Sequence, residues 1–244
     1  MIVNKKRSNK VDKLKIFRGD IKHILLIWRS LIILNIIMLL SSCTSKPKIS
    51  RFSASSFFSN DGAIRLWRLN DQKNNPQAII TIYSSNEGNN TTITFLKYRK
   101  GKLWQIFYEA FKYKDKEKQH IRFDKNNHIV FMQRIVNNNK LFLTNDDIIR
   151  WHYESDRLIN LSTTLIDSNV NLYQGYWRKG QIVTCTGEKR NISFSSQSEN
   201  LIRYRLRTDG DDLNIAWLET SEGNKLLLVT NENLCLWSPI KNNV

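Results

Sequence analysis

Short runs rich in Ile, Phe, Thr, Tyr and Trp recur between residues 63 and 238, and clusters of Asn, Asp, Gly or Lys separate them. AIITIY at 78–83 and TTITFLKY at 91–98 are two such runs, with a turn at 86–90 between them. β-Branched and aromatic residues favour strands, and such frequent turns favour antiparallel neighbours. The sequence therefore predicts a mainly β (α+β) fold, an antiparallel meander curled into a barrel or sandwich.

A helical pattern interrupts the strands near residues 144–167. Thr144 is followed three residues later by Asp147, which is the spacing of a capping box, and Asp146 adds a second early carboxylate. We expect a short helical insertion there, with a second helical piece at 157–166. The strands predicted after it lie at 172–177, 181–186, 191–194, 203–207, 213–219, 225–230 and 235–238.

The N-terminal part of the chain predicts an export signal. Residues 1–29 contain nine Lys and Arg against two Asp, and the apolar run 31–40 follows. Ten helical residues span about 15 Å, which is too short for a hydrocarbon core of about 30 Å but suits a signal peptide. The sequence LSSC at 40–43 is a lipobox. We predict cleavage between Ser42 and Cys43, and acylation of Cys43.

This interpretation divides the chain into a signal peptide at 1–42, a flexible Ser-rich tether at 43–60 and a single mainly β periplasmic domain at 61–240. The alternative is an uncleaved membrane anchor beginning at Ile24. Such an anchor would contain Arg29, which costs about 2.5–3.5 kcal/mol at the centre of a membrane. Both interpretations leave the chain from Cys43 onwards outside the cytoplasmic membrane.

The net charge of +16 is unevenly distributed, with +7 in the first 42 residues and +9 in the rest. Such a charge is typical of proteins that bind nucleic acid or an anionic membrane surface. However, the chain also has 27 Asn and abundant Lys and Ile, a composition expected from an AT-rich genome. Because an exported and anchored protein rarely meets nucleic acid, we predict no nucleic-acid partner.

The three cysteines agree with export. If Cys43 carries lipid, Cys185 and Cys235 remain as an even pair in an oxidising compartment, and we predict that they form a disulfide. Closing a loop of about 50 residues should stabilise the domain by about 4 kcal/mol in the chain-entropy model. Two buried free cysteines that never meet are the alternative.

Few residues suggest catalysis. The sequence has no GxSxG elbow, no zinc-type ligand spacing and no Gly-rich phosphate loop. We therefore predict no catalytic residues, no metal ligands and no cofactor. The alternative is an envelope hydrolase or isomerase with a cryptic site among His120, His128, His152 and carboxylates such as Asp146, Asp147, Glu154 and Asp156.

Tryptophans are frequent in the predicted β domain. On strands they usually pack in the core or form cross-strand pairs, which is our prediction here. A cluster on one concave face that binds glycan or peptide is the alternative. The residues concerned are Trp67, Trp104, Trp151, Trp177, Trp217 and Trp237.

Several segments are distinctive in combination. After the lipobox come GAIRLWRLND (62–71), GNNTTIT (88–94), RFD (122–124), FMQR (131–134), LTNDD (143–147), YQGYW (173–177), QIVTCTG (181–187) and IAWLE (215–219). Together they resemble the YjaH-like lipoproteins of enterobacteria, a family of unknown function, over most of residues 61–230. The resemblance implies a lipoprotein that faces the periplasm, and it supplies no active site.

We therefore expect a lipoprotein held in the bilayer by acylated Cys43, with a non-enzymatic binding or structural role. Its expected partner is an unknown envelope protein or glycan. Residue 44 bears on the choice of membrane, because these lipoproteins use Asp after the cysteine as an inner-membrane retention signal. Thr44 stands there instead, which favours the outer membrane, with inner-membrane anchoring as the alternative.

Overall fold

The computed structural model describes residues 52–178, 180–210 and 213–239. The predicted signal peptide, its cleavage site at Ser42 and the predicted acylation site at Cys43 lie outside these ranges. Within them the chain forms two antiparallel β-sheets, two α-helices and one 3₁₀ turn. No helix in the described part of the chain is long and apolar enough to cross a membrane.

The larger sheet contains eight strands that follow one another in chain order, each paired antiparallel with the next. Asn137 and Asn138, which connect the last two strands, both have positive φ, as a two-residue type I′ turn requires. The strands are β1 (Phe52–Ser59), β2 (Gly62–Asn70), β3 (Pro76–Ser85), β4 (Asn90–Arg99), β5 (Lys102–Lys112), β6 (Asp115–Phe123), β7 (Ile129–Val136) and β8 (Asn139–Leu141).

The smaller sheet has the strand order β11-β10-β9-β12-β13. Helix α1 (Asn145–Asp167) precedes it in the chain, helix α2 (Ser196–Asp209) separates β11 from β12, and the 3₁₀ turn (Leu234–Trp237) follows β13. Both sheets are open, so the predicted mainly β meander is confirmed without closure into a barrel. The five strands are β9 (Asn171–Arg178), β10 (Gln181–Thr184), β11 (Lys189–Arg190), β12 (Leu213–Thr220) and β13 (Gly223–Thr230).

Helix α1 begins with the predicted capping box. The backbone N–H of Asp147 donates to Thr144 Oγ1 over 3.2 Å, and the backbone N–H of Thr144 donates to Asp147 Oδ2 over 2.9 Å. The helix then continues unbroken to Asp167, where two pieces were predicted. No Gly or Pro interrupts the segment, and the buried Ser155 and Ser162 let the helix lie close to the sheet.

The two faces of β2 show how the layers pack, because alternate side chains on a strand point to opposite faces. Leu66 joins the core cluster that contains Leu158 of α1. Trp67 joins a second cluster that includes Leu218 of the smaller sheet. The larger sheet is therefore covered by α1 on one face and, around β2, by the smaller sheet on the other. Helix α2 covers the smaller sheet through Ile202.

Cys185 and Cys235 form the predicted disulfide, with Cα atoms 5.3 Å apart. Cys185 lies in the turn after β10, and Cys235 lies in the 3₁₀ turn. Leu234, next to Cys235, is buried in the cluster shared by the two sheets. The disulfide thus fastens the segment after β13 to the smaller sheet.

Strand β1 lies within the residues predicted to form a tether. It pairs with β2 through all eight of its residues, from Phe52 opposite Leu69 to Ser59 opposite Gly62. The Ser-rich composition suggested a linker, but two of these serines are buried. Ser55 Oγ donates to the Val170 carbonyl over 2.9 Å. Within the described residues, the β domain therefore already includes Phe52–Ser59 and does not begin at Asp61.

Three predicted strands were wrong. Residues 203–207 lie in α2, because Ser195 caps a helix by accepting from the Ser198 N–H. Residues 235–238 coincide largely with the 3₁₀ turn, which begins where the Asn233 side chain accepts from the Cys235 N–H. Residues 191–194 form a loop that carries buried Phe194 into the core of the smaller sheet.

Candidate binding site

In the described part of the chain, the outer strands of the larger sheet have one face covered by α1 and one face that no other described element covers. Ile106 on β5 and Ile121 on β6 are buried in the cluster that packs against α1. Their chain neighbours Phe107 and His120 point to the opposite face, where the two residues stand opposite each other across the strand pair. This uncovered face of β4 to β7 is the candidate binding site.

A row of four aromatic rings crosses this face, one from each strand. We call Phe95 (β4), Phe107 (β5), His120 (β6) and Phe131 (β7) the aromatic ladder. Successive ring centroids lie 6.2, 4.3 and 4.8 Å apart. Phe107 and Phe131 remain 36% and 38% exposed. Cross-strand aromatic contacts of this kind stabilise a sheet, but they rarely leave so much apolar surface in water.

Three members of the ladder, Phe95, Phe107 and His120, line a shallow depression of about 360 Å³. Ile93 lies at the border with the smaller sheet, since it also packs against the shared core. Ile135 and Gln133 of β7 complete the other side of the depression. The site is therefore an open aromatic surface bordered by polar and charged residues that include Glu109 and Lys118, unlike the enclosed cleft of most small-molecule sites.

Two cationic side chains lie close to rings of the aromatic ladder. Lys97 Nζ is 4.9 Å from the centroid of the Phe95 ring, and the Arg122 guanidinium carbon is 6.0 Å from that of Phe131. These distances are within the range of cation–π attraction. The ladder thus presents positive charge together with apolar surface.

The positive charge of the domain is concentrated in the part of the chain that forms the strands of the ladder. Residues 97–140, which include β5 to β7, contain 12 Lys and Arg against 4 Asp and Glu, a net charge of +8. The remaining residues between 52 and 239 contain 13 Lys and Arg against 16 Asp and Glu, a net charge of −3. A basic composition spread evenly by an AT-rich genome would not produce this difference between the two parts.

Glu109 is the carboxylate on the ladder face, and it is paired with two lysines. Its Oε1 lies 3.1 Å from Lys116 Nζ and 2.7 Å from Lys118 Nζ. Desolvation alone would raise the pKa of Glu109, but the hydrogen bonds and charges of the two lysines lower it. Glu109 is therefore ionised at neutral pH, and two lysines for one carboxylate leave an excess of positive charge.

His120 is neutral at neutral pH. Partial burial and the nearby charge of Arg122 both lower the pKa of its imidazole. Nε2 of Gln105 lies 2.8 Å from Nε2 of His120, so the amide donates and the imidazole accepts. The proton of the neutral ring is then on Nδ1. This histidine has a neutral amide as its partner and not the carboxylate that orients the histidine of a catalytic triad.

The other histidines lie elsewhere. His128 is on the β6–β7 turn, where its Nδ1 is 3.4 Å from Asp124 Oδ2 in an exposed position. His152 is on α1, with its ring centroid 4.8 Å from that of Phe123. The described structure therefore does not bring the three histidines into one site.

The predicted acidic candidates have structural roles or lie apart. Asp147 caps α1, and the hydrogen bonds from Thr144 lower its pKa. Glu154 pairs with Arg157 at 2.6 Å on the same helix. Among the described residues, no three His, Cys, Asp or Glu side chains are grouped so that they could hold a metal ion.

Tryptophans are not part of the ladder. Trp67 and Trp217 are buried, which confirms core packing for these two. Trp151 donates through Nε1 to Gln119 Oε1 over 2.9 Å on the α1 side of the sheet. Sequence analysis missed the phenylalanines of the ladder. The sequence does contain a signal for them, namely regular spacing. Each interval between Phe95, Phe107, His120 and Phe131 is about the length of one strand plus one turn.

The fold and the site define a class: a mainly β protein of two packed open sheets that presents an uncovered aromatic and basic sheet face. A family model described as "Protein of unknown function (DUF1481)" matches residues 54–240, and the chain belongs to this family. The uncharacterized protein YjaH of Escherichia coli strain K12 is 30% identical over 223 residues, which cover 91% of this chain and 95% of YjaH. The resemblance to the YjaH-like family is thereby confirmed. No solved structure matches the chain.

Proposed function

We propose that this protein is an outer-membrane lipoprotein, anchored through acylated Cys43, whose periplasm-facing β domain binds another envelope component without catalysing a reaction. The observation that carries the binding role is the uncovered aromatic ladder. The same strands bury Ile106 and Ile121 under α1 on their other face, whereas Phe107 and Phe131 are left partly in water. An exposed apolar surface of this kind marks a place where another molecule binds.

The arrangement of the rings favours a protein partner over a glycan. Phe107 and His120 stack on each other with an interplanar angle of 19°, so their faces are largely occupied by one another. Sugars stack on ring faces, whereas the edges of aromatic rings carry partial positive charge and attract oxygen atoms. Together with Lys97 and Arg122, the ladder is suited to a protein surface with apolar and acidic side chains.

The enzyme alternative gains no support from the described residues. His120 hydrogen-bonds to an amide, and the pair formed by His128 and Asp124 is exposed on a turn. We therefore propose binding alone.

Site-specific photo-crosslinking in living cells tests this function. The full chain with its own N-terminal segment is produced with a photoreactive phenylalanine analogue at Phe107, and in a matched control at Tyr153, which is 69% exposed on α1. We expect a discrete crosslinked protein from position 107 and none from position 153. The absence of any adduct at 107, or the same adduct at both positions, would contradict binding through the ladder.

A further inference from the structure

One edge of the larger sheet is left open over most of strand β7. β8 pairs with β7 only at residues 134–136, through Leu141, Lys140 and Asn139. The chain then leaves the sheet through Phe142 and enters α1. Among the described strands, none pairs with the outer side of residues 129–133. The opposite edge, β1, differs because Ser55 hydrogen-bonds to Val170 at the start of the smaller sheet.

The register identifies the open backbone groups. The two-residue turn makes Val136 and Asn139 a hydrogen-bonded pair, and the residues that point their N–H and C=O towards β8 alternate from there. Arg134 is the next such residue, followed by Met132. The register with β6 then shifts between Arg122 and Phe123, which ends the alternation, and the His128 carbonyl accepts from the Asp124 N–H on the β6 side. Beyond the end of β8, Met132 therefore directs a donor and an acceptor into solvent. This is the arrangement that an added strand uses.

The side chains at this edge are apolar. Ile129, Val130 and Met132 are all exposed, and Phe142 is 90% exposed. Beside them is a cavity of about 320 Å³ lined by Phe131, Met132 and Phe142. Natural edge strands usually carry charges or prolines that prevent pairing. An apolar edge next to a cavity instead combines backbone pairing with a pocket for one side chain of the partner.

The charge of this region indicates the kind of partner. Residues 125–143 contain Lys125, Arg134 and Lys140 and no Asp or Glu. They belong to the segment with a net charge of +8. A second copy pairing edge to edge would bring two such segments together and would be repelled. An acidic segment would be attracted.

We propose that β7 is a docking strand, on which the backbone of Met132 pairs by β-augmentation with an extended, acidic segment of a partner protein. An apolar side chain of that segment enters the cavity beside Phe142. The inference rests on the proposed function, because it describes how the envelope partner attaches. Strand addition at β7 would also place side chains of the partner next to Phe131, the last ring of the aromatic ladder.

Binding of defined peptides to the full-length protein in detergent micelles tests this proposal. The probes are peptide libraries of about ten residues in which alternate positions are Glu, Lys or Ser and the others vary among Val, Ile, Thr and Phe. We expect selection to enrich the Glu set, and its best members to bind about tenfold more tightly than the matched Lys peptides at low salt. Equal binding of the two sets would overturn the acidic partner.

Two variants of Met132 separate the backbone from the side chain. Met132→Pro removes the outward N–H and should weaken binding about tenfold, as expected for one lost hydrogen bond. Met132→Leu keeps both the N–H and the apolar side chain and should bind normally. Hydrogen exchange of the unsubstituted protein provides a readout that needs no variant: the peptide should protect the amide of Met132. Protection elsewhere, or protection by self-association without peptide, would overturn the proposal.

The two proposals can fail separately. If crosslinking from Phe107 fails while acidic peptides still protect the amide of Met132, the ladder is not the binding face but the docking strand stands. If crosslinking succeeds while this amide remains unprotected, the docking strand is overturned and the ladder stands.

Discussion

Arg65 on β2 donates from Nη1 to Oε1 of Gln174 on β9 over 3.1 Å, which joins the two sheets within their shared core. Both side chains are buried. The same Nη1 lies 3.3 Å from the Leu234 carbonyl, and Nη2 lies 3.1 Å from Ser84 Oγ. Burial lowers the pKa of Arg65 to about 10, opposed by the charge of Glu232, so the group stays cationic at neutral pH. One guanidinium therefore links β2, β3, β9 and the 3₁₀ turn.

Arg65→Met should destabilise the domain by about 1–3 kcal/mol, because Gln174 and the Leu234 carbonyl lose a buried donor. Urea unfolding of the oxidised protein measures the loss. Arg150→Met is the matched control, since Arg150 is exposed on α1 and lies 3.8 Å from Asp147. Its effect should stay within about 0.5 kcal/mol. Equal losses in the two variants would show that the buried network contributes nothing specific.

The disulfide should make a large contribution to stability. The bond closes a loop with a sequence separation of 50 residues. We expect the double variant Cys185→Ser/Cys235→Ser to lose about 4 kcal/mol in urea unfolding, less any strain relieved. A reducing agent should lower the unfolding midpoint of the natural sequence and leave the double variant unchanged. An unchanged midpoint for both proteins would contradict this prediction.

Stability should fall in mild acid because of His120. The folded state lowers the pKa of this imidazole, so the unfolded chain binds a proton more readily. The stabilising contribution of neutral His120 is therefore complete above the unfolded value of about 6.5 and is lost as pH falls through the lower, folded value. Thermal melting from pH 8 to pH 5 should show this loss. In His120→Gln the decline should be smaller; an identical decline would exclude His120 as its cause.

Acylation of Cys43 stays a prediction from the lipobox, and metabolic labelling can test it. A clickable palmitate should label the natural sequence and not Cys43→Ala, because the thiol is the attachment point. Cys185→Ser/Cys235→Ser is the matched control and should label normally. Density fractionation of the labelled protein should place it in the outer membrane. Labelling of Cys43→Ala, or recovery in the inner membrane, would contradict the anchor or its location respectively.

Local sequence patterns predicted the structure correctly where one short segment determines its own conformation. Thr144 and Asp147 predicted the start of α1, because a capping box needs only four consecutive residues. The segment 203–207 was ambiguous, since alternating Arg with Tyr and Leu fits a strand face as well as a helix. The residue that favours a helix there is the N-cap Ser195, which lies eight residues upstream of that segment.

The candidate site depends on alignment between strands, which no local pattern determines. Phe107 meets His120 because β5 and β6 pair in one register, and a shift by one residue would turn one ring to the other face. Similarly, the open edge of β7 depends on where β8 ends, and β8 is only three residues long. Both features therefore became visible only in the folded chain.

The contact between Arg65 and the Leu234 carbonyl also determines the order in which the molecule can be completed. Hairpins of the larger sheet join neighbours in the chain, so they can form as the polypeptide emerges. The hydrogen bond to Leu234 spans 169 residues and must wait until that segment is released. A ribosome that still holds the 3₁₀ turn therefore prevents this link between the two sheets from forming. The last residues of the core, and not the first hairpins, therefore complete the joint between the two sheets.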